Sequence, residues 1–181
     1  MRLDGDNIYL RFLEVADAEE MLDLQLRNKK FFEKYSCTRN NDYYSLDYQR
    51  EKIKSDQSLK EKDEKYSFGI FLNKNDKLIG SISLSGILRG PLQSCIIGYT
   101  LDKPHNGRGY MSEAVCLLVD FGFKELKLHR IEAGVMPHNL GSIRVLEKNG
   151  FHKEGIARKN VEINGKWEDH QVLAIVNEPA D

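Results

Sequence analysis

Asn106-Gly107-Arg108-Gly109-Tyr110-Met111-Ser112-Glu113-Ala114 follows closely on the apolar run Cys95-Ile96-Ile97-Gly98-Tyr99-Thr100-Leu101. The run reads as a strand, the glycines as a loop, and the residues after them as the first turn of an amphipathic helix. The first N–H groups of a helix have no acceptor within it, and the positive end of the helix dipole lies at the same point. Such a point binds phosphate, and glycines let a backbone approach one closely. The loop lacks the Gly-Lys-Ser/Thr ending that would supply a magnesium ligand. The spacing therefore indicates a phosphate-bearing cofactor that needs no metal. The other reading, a plain helix start, leaves the destabilising effect of two glycines unexplained.

A second pair of polar residues, Asn139 and Ser142, stands three apart at the start of another expected helix and shares one face of it. Asparagine is a favoured N-cap. Of the three cysteines, Cys37, Cys95 and Cys116, no two have metal-ligand or redox spacing. Cys95 and Cys116 lie in apolar runs, where a small buried side chain is the ordinary role.

The elements that must position these groups follow from periodicity and turn chemistry. Residues 7–13 alternate as a first strand. Asp17 and Glu20 predict a capping box opening a helix to residue 28, with Met21, Leu22 and Leu26 on its inner face. The aromatic-rich stretch 29–44 reads as either core or pocket wall, and the mixed charges of 46–65 as a solvated helix. A hairpin is predicted over 66–72 and 77–84, a further strand over 94–101, and the glycine-started helix to about 126, burying Val115, Leu118, Val119 and Phe123. A strand over 130–136 and a helix over 139–148 follow, the latter ended by Asn149-Gly150. A last hairpin, 151–161 and 167–176, turns at Asn164-Gly165. The hairpins rule out an all-parallel sheet, so the class is α/β (α+β) with a mixed sheet.

Four ordered blocks resemble the GCN5-related N-acetyltransferases (GNAT). They are the glycine loop, the string from Met136-Pro137-His138-Asn139 through Val145-Leu146-Glu147-Lys148-Asn149-Gly150-Phe151, then Lys153-Glu154-Gly155-Ile156-Ala157, and Ile163-Asn164-Gly165-Lys166-Trp167-Glu168-Asp169-His170. Within that superfamily they resemble the RimJ/RimL branch, whose members acetylate the N-terminal amine of ribosomal proteins. Arg89-Gly90 and the Met-Pro-His-Asn string lean toward the RimJ type. The resemblance spans residues 7–176, which implies one acetyltransferase domain with a mostly antiparallel twisted sheet flanked by helices. Acetyl-CoA is the implied cosubstrate, with no metal.

The family loop is Gln/Arg-x-x-Gly-x-Gly/Ala. This chain keeps Gly109, but has Asn106 at the first position and Met111 at the last. The resemblance implies that Asn106, Gly107, Arg108, Gly109, Tyr110, Met111 and Ser112 cradle the diphosphate, and that the backbone of Tyr99, Thr100 and Leu101 hydrogen-bonds the pantetheine arm. Gly98 marks an expected bulge there, or simple packing. The resemblance also implies that Asn139, besides capping its helix, contacts the cofactor. For Ser142 two readings stand: a hydroxyl near the thioester sulfur, or a structural serine. Leu146 occupies the place where many relatives carry a tyrosine acid, and Gly134 the place of a glutamate base. Glu132, two residues earlier on the same strand face, is the substitute base or a solvated carboxylate. Phe31, Phe32, Tyr35, Trp167, Asp169 and His170 are the candidates for the acceptor groove.

With 27 basic and 28 acidic residues in 181 and no basic tract, the chain offers no general attraction to nucleic acid. No signal peptide opens it and no apolar stretch is of membrane-spanning length, so a cytoplasmic protein without membrane or nucleic-acid partners, monomer or homodimer, is expected. The acceptor amine must be neutral to attack. Neutralising a lysine near pH 7 costs roughly 3.5 kcal/mol more than neutralising an α-amine, which favours a protein N-terminus when no strong base is evident. Small-molecule amines and a non-catalytic acyl-CoA-binding module are the alternatives.

Overall fold

In a computed structural model, which describes residues 1–178, eight strands form one sheet in the order β1-β2-β3-β4-β5-β6-β8-β7. The strands are β1 (Arg2–Asp4), β2 (Ile8–Phe12), β3 (Lys65–Leu72), β4 (Leu78–Leu88), β5 (Ser94–Leu101), β6 (Arg130–Val135), β7 (His152–Ile163) and β8 (Lys166–Val176). Helices α1 (Ala18–Phe32) and α2 (Leu46–Glu61) lie between β2 and β3, α3 (Tyr110–Lys124) between β5 and β6, and α4 (Leu140–Lys148) between β6 and β7. Every neighbouring pair is antiparallel except β5 and β6. That parallel pair needs a crossover, and α3 supplies it.

The larger core fills the sheet face under α3 and α4. It joins Leu10, Phe68, Ile82 and Ile97 of the strands to Ala114, Val115, Leu118 and Leu146 of the helices. Phe121 is buried on α3, while Phe123 is only partly covered. Gly122 brings α3 close to the sheet, since a Cβ there would stand 2.9 Å from Ile131 Cδ1. On the opposite face Tyr9, Leu13, Phe71 and Leu78 pack against Ala18, Met21 and Leu24 of α1 and Ile53 of α2.

Helix α1 departs from expectation in cap, rotation and length. Asp17 forms no box with Glu20. Asp17 instead closes a box with Glu14 that opens the short 3-10 turn Val15–Asp17, its carboxylate accepting from the Glu14 N–H and receiving two 2.7 Å hydrogen bonds from Arg11. Glu20 instead accepts from the Leu78 N–H at 3.3 Å. The inward stripe is Ala18, Met21, Leu24, Gln25 and Asn28, and Leu26 faces solvent. Asn28 sets that rotation. Its amide nitrogen donates to Leu24 O and Asp102 Oδ1, and its Oδ1 accepts from the Lys103 N–H. The short β1 also lies outside the expected elements. Ser45 caps α2 by accepting from the Tyr48 N–H.

Asp102, at the end of β5, is a buried hub. Its carboxylate accepts from Arg27, Asn28 and His105 Nδ1, tying α1 to the loop that precedes α3. Desolvation raises the Asp102 pKa, but the hydrogen bonds from Arg27 and Asn28 and the charge of Arg27 outweigh it, so the net value is lowered. A depressed carboxylate stabilises the fold above its unfolded pKa of about 3.9, and that contribution is lost as pH falls through the folded value. Asp102→Asn is expected to cost about 2–3 kcal/mol at pH 7 by urea unfolding. The gap to wild type should narrow below about pH 4, and a gap independent of pH would contradict the charge-based account.

Candidate active site

Strand β5 pairs with β4 along its length, from Ser94 to Leu101, yet meets β6 only over Ser94–Arg130, Cys95–Ile131 and Ile96–Glu132. Beyond Ile96 the two strands part. No register shift with β4 occurs at Gly98, which pairs directly with Ser83. The expected bulge is absent because the opening lies on the β6 side, where glycine needs no extra residue to stop pairing. A cavity of about 540 Å³ occupies the space between the strand ends, α3 and α4.

At one end of this cavity Gly107 and Gly109 adopt φ of 75° and 84°, and a Cβ on either would meet nothing within 4 Å. Both glycines are therefore required by conformation rather than by close packing. Gly109 is the N-cap of α3, and the first hydrogen bond of the helix runs from the Glu113 N–H to Gly109 O. The N–H groups of Tyr110, Met111 and Ser112 thus have no acceptor within the helix. The Glu113 side chain turns away and accepts from the N–H groups of Asn7 and Ile8, which leaves that end of α3 to an outside anion. The Asn106 amide nitrogen donates to the carbonyls of Asp102 and Lys103, at 3.1 and 3.3 Å. It braces the loop.

On the far wall, Asn139 caps α4 by accepting from the Ser142 N–H at 3.3 Å. Ser142 Oγ lies 2.8 Å from the phenol oxygen of Tyr99. Burial pushes the Tyr99 phenol up to about 12, the hydrogen bond with Ser142 lowering it only partly. The phenol is protonated at neutral pH. Sequence reasoning used only the backbone of Tyr99 and so missed this pairing. Nothing in the primary structure connects a strand residue to a serine 43 positions later.

The structure brings Tyr99, Thr100, Leu101, Asn106, Gly107, Gly109, Tyr110, Met111, Ser112, Asn139 and Ser142 together around the 540 Å³ cavity, with Phe31, Phe32 and Tyr35 on the same wall. The Arg108 side chain does not line it. His105, Gly141, Arg144, Val145 and Lys148 do. The last four follow the i, i+3, i+4, i+7 spacing of one helix face, a signal present in the sequence. Glu132 is held by Arg130 Nε at 2.7 Å and lines neither this cavity nor its neighbour. Trp167 is 57% exposed. Asp169 accepts from the Lys159 N–H within the β7–β8 hairpin, and buried His170 hydrogen-bonds Glu168 O. Glu132 on β6 is tied to Arg130, and Trp167, Asp169 and His170 on β8 lie outside both cavities, so these four do not join the site. Cys95 is buried, and desolvation raises its thiol to about 12, so it is no nucleophile at neutral pH.

A second cavity of about 210 Å³ lies on the other side of β5, under α1 and α2. The two share Phe32, Ser36, Tyr99 and Thr100. Among the described residues, no three His, Cys, Asp or Glu side chains are grouped to hold a metal ion, and no helix is long and apolar enough to cross a membrane.

Comparison with known proteins agrees with this architecture. A Bacillus subtilis (strain 168) protein named probable N-acetyltransferase YjcK is 65% identical over 175 residues, 97% of each chain. The ribosomal-protein-S5-alanine acetyltransferase of Vibrio fischeri superposes with a TM-score of 0.93 at 30% identity, covering 98% of this chain and 97% of that one. Mycobacterium smegmatis RimJ, in complex with CoA-disulfide, gives 0.89 at 26% identity, covering 93% and 81%. The acetyltransferase (GNAT) domain family matches residues 7–152, and this chain belongs to it.

Proposed function

We propose that residues 7–176 form one catalytic domain that transfers acetyl from acetyl-CoA to the N-terminal α-amine of a protein, alanine or serine of a ribosomal protein, by direct attack. The observation that carries this is the meeting of two cavities across β5 at Phe32, Ser36, Tyr99 and Thr100. One suits a long phosphorylated thioester and the other an amine arriving from the opposite side. The names of the Vibrio fischeri and Mycobacterium smegmatis relatives support both the ribosomal acceptor and the coenzyme. A ribosomal acceptor also implies a cytoplasmic enzyme.

The residues present fit acetyl-CoA. The N–H groups of Tyr110, Met111 and Ser112, with the glycine backbone of Gly107 and Gly109, would hold the diphosphate. Arg144 and Lys148, one turn apart on α4, line the same cavity and add positive charge for its phosphates. The edge of β5 that β6 leaves free, from Tyr99 to Leu101, would offer its backbone to the pantetheine amides. The thioester, once bound, supplies an activated carbonyl and a thiolate leaving group. Tyr99 keeps its proton at neutral pH and, with Ser142, is placed to deliver it to the departing sulfur. Leu146 is buried in the core and lines neither cavity, so the proton-donor role falls to Tyr99 on β5. Cys95 is buried and lines neither cavity, which supports direct attack over an acyl-Cys95 intermediate.

Thiol release from acetyl-CoA tests the proposal. Short peptides with a free N-terminal alanine or serine should support release, and an Nα-blocked lysine peptide or a polyamine should not. Faster release with the polyamine would contradict a protein acceptor. Gly109→Val should raise the KM for acetyl-CoA at least tenfold, since a β-branched residue resists φ near 84°; an unchanged KM would remove the loop from the phosphate site. Tyr99→Phe should lower kcat by on the order of tenfold to a hundredfold with little change in either KM, and Ser142→Ala should do so to a smaller degree. Wild-type turnover in Tyr99→Phe would return the pair to a packing role.

A further inference from the structure

Asn149 is the C-cap of α4 and lines neither cavity. Its side-chain nitrogen donates to Val145 O at 2.8 Å and to Ser112 Oγ at 3.1 Å. A carbonyl oxygen only accepts, so Val145 O fixes which end of the amide faces it. The amide nitrogen carries two hydrogens, and these two bonds use both. Ser112 Oγ is therefore the acceptor in its bond with Asn149, and the serine proton points elsewhere.

That proton sits at the anion-binding end of α3. Ser112 is the third residue of the helix after the Gly109 cap, and its N–H is one of those without an acceptor in the helix. The Cα–Cβ bond of a helical residue tilts toward the helix N-terminus, so the hydroxyl leans to the same end as those N–H groups. Ser112 lines the 540 Å³ cavity beside Gly109, Tyr110 and Met111. An O–H donated to a charged oxygen is among the stronger hydrogen bonds.

The same contact completes a frame around the cavity. At its first turn α4 meets β5 through Ser142 Oγ and the Tyr99 phenol, 2.8 Å apart, and at its end it meets α3 through Asn149 and Ser112. Val145, whose carbonyl Asn149 holds, lines the cavity with Arg144 and Lys148.

We propose that Asn149 is a positioning residue for the cofactor: its donation to Ser112 Oγ aims the serine proton at the diphosphate of acetyl-CoA. Ser112 then offers that group two donors, N–H and O–H. This rests on the acetyl-transfer reading above and adds a residue that lies outside the cavity. Asn149 also caps α4 through Val145 O, but capping alone gives no dependence on Ser112.

The test is calorimetric titration of wild type, Asn149→Ala, Ser112→Ala and the double variant, each well below its melting temperature. The probes are CoA and 3′-dephospho-CoA, which keeps the diphosphate. Ser112→Ala should weaken CoA binding on the order of tenfold. Asn149→Ala should weaken it roughly threefold to tenfold, because the freed hydroxyl spends part of its time turned away. The double variant should bind no more weakly than Ser112→Ala, as expected of residues that act through one another. Both probes should show the same fold loss. Additive losses in the double variant, or a loss seen with CoA but not with dephospho-CoA, would overturn the inference. So would wild-type affinity in Ser112→Ala, a result that decides the matter even if Asn149→Ala does not fold. Failure of the wild type to bind CoA would instead overturn the acetyl-transfer reading.

Discussion

Three residue pairs hold β5 to β6, and the structure depends on their being only three. A strand in a sheet interior normally spends its backbone donors and acceptors on both neighbours. Beyond Ile96 β5 has β4 as its one neighbour, so its free edge is a set of unsatisfied groups in a partly buried place. That arrangement is costly unless a ligand completes the ladder, which is what an extended amide-bearing arm does. The parallel pair, the α3 crossover and the glycine loop are consequences of the same geometry. A chain that must leave β5, cross the sheet face and return parallel to it starts its helix at the mouth of the gap.

The gap needs a rigid frame, and a polar hub supplies it. Asp102 ends β5 and gathers Arg27, Asn28 and His105 around one buried carboxylate. Burial lowers the His105 pKa despite the neighbouring carboxylate, so its bond to Asp102 is one from a neutral imidazole at pH 7. The hub fixes α1 relative to the loop, and α1 carries Phe31 and Phe32 into the cavity wall. The segment that follows α1 is held from the other end by Asn164. The two cavities are thus bordered by segments pinned through side-chain hydrogen bonds rather than by apolar packing alone.

The relation between sequence and structure follows the same division. The two hairpins, the glycine-started α3 and the α4 cap at Asn139 were legible, because turn and cap chemistry is local. The mixed sheet flanked by helices follows from that order and from the family resemblance, and it is the sheet observed. Helix α1 was misread in rotation because Asn28 and Gln25 face inward, against a rule that places apolar residues there. The Asp17–Glu20 box failed since Asp17 closes a box with Glu14 and binds Arg11, six residues earlier. Much of the lining of the 540 Å³ cavity was readable from the glycine loop and the Asn139–Ser142 spacing. Residues that act across the sheet were not, because register and strand separation decide those contacts. Tyr99 against Ser142 is one such pair.

Amide hydrogen exchange of the protein with and without CoA addresses the separated strands and the loop together. Slowed exchange is expected mainly in peptides spanning 97–101 and 107–112, where N–H groups without a protein partner acquire acceptors. Protection elsewhere with those two segments unchanged would contradict this expectation.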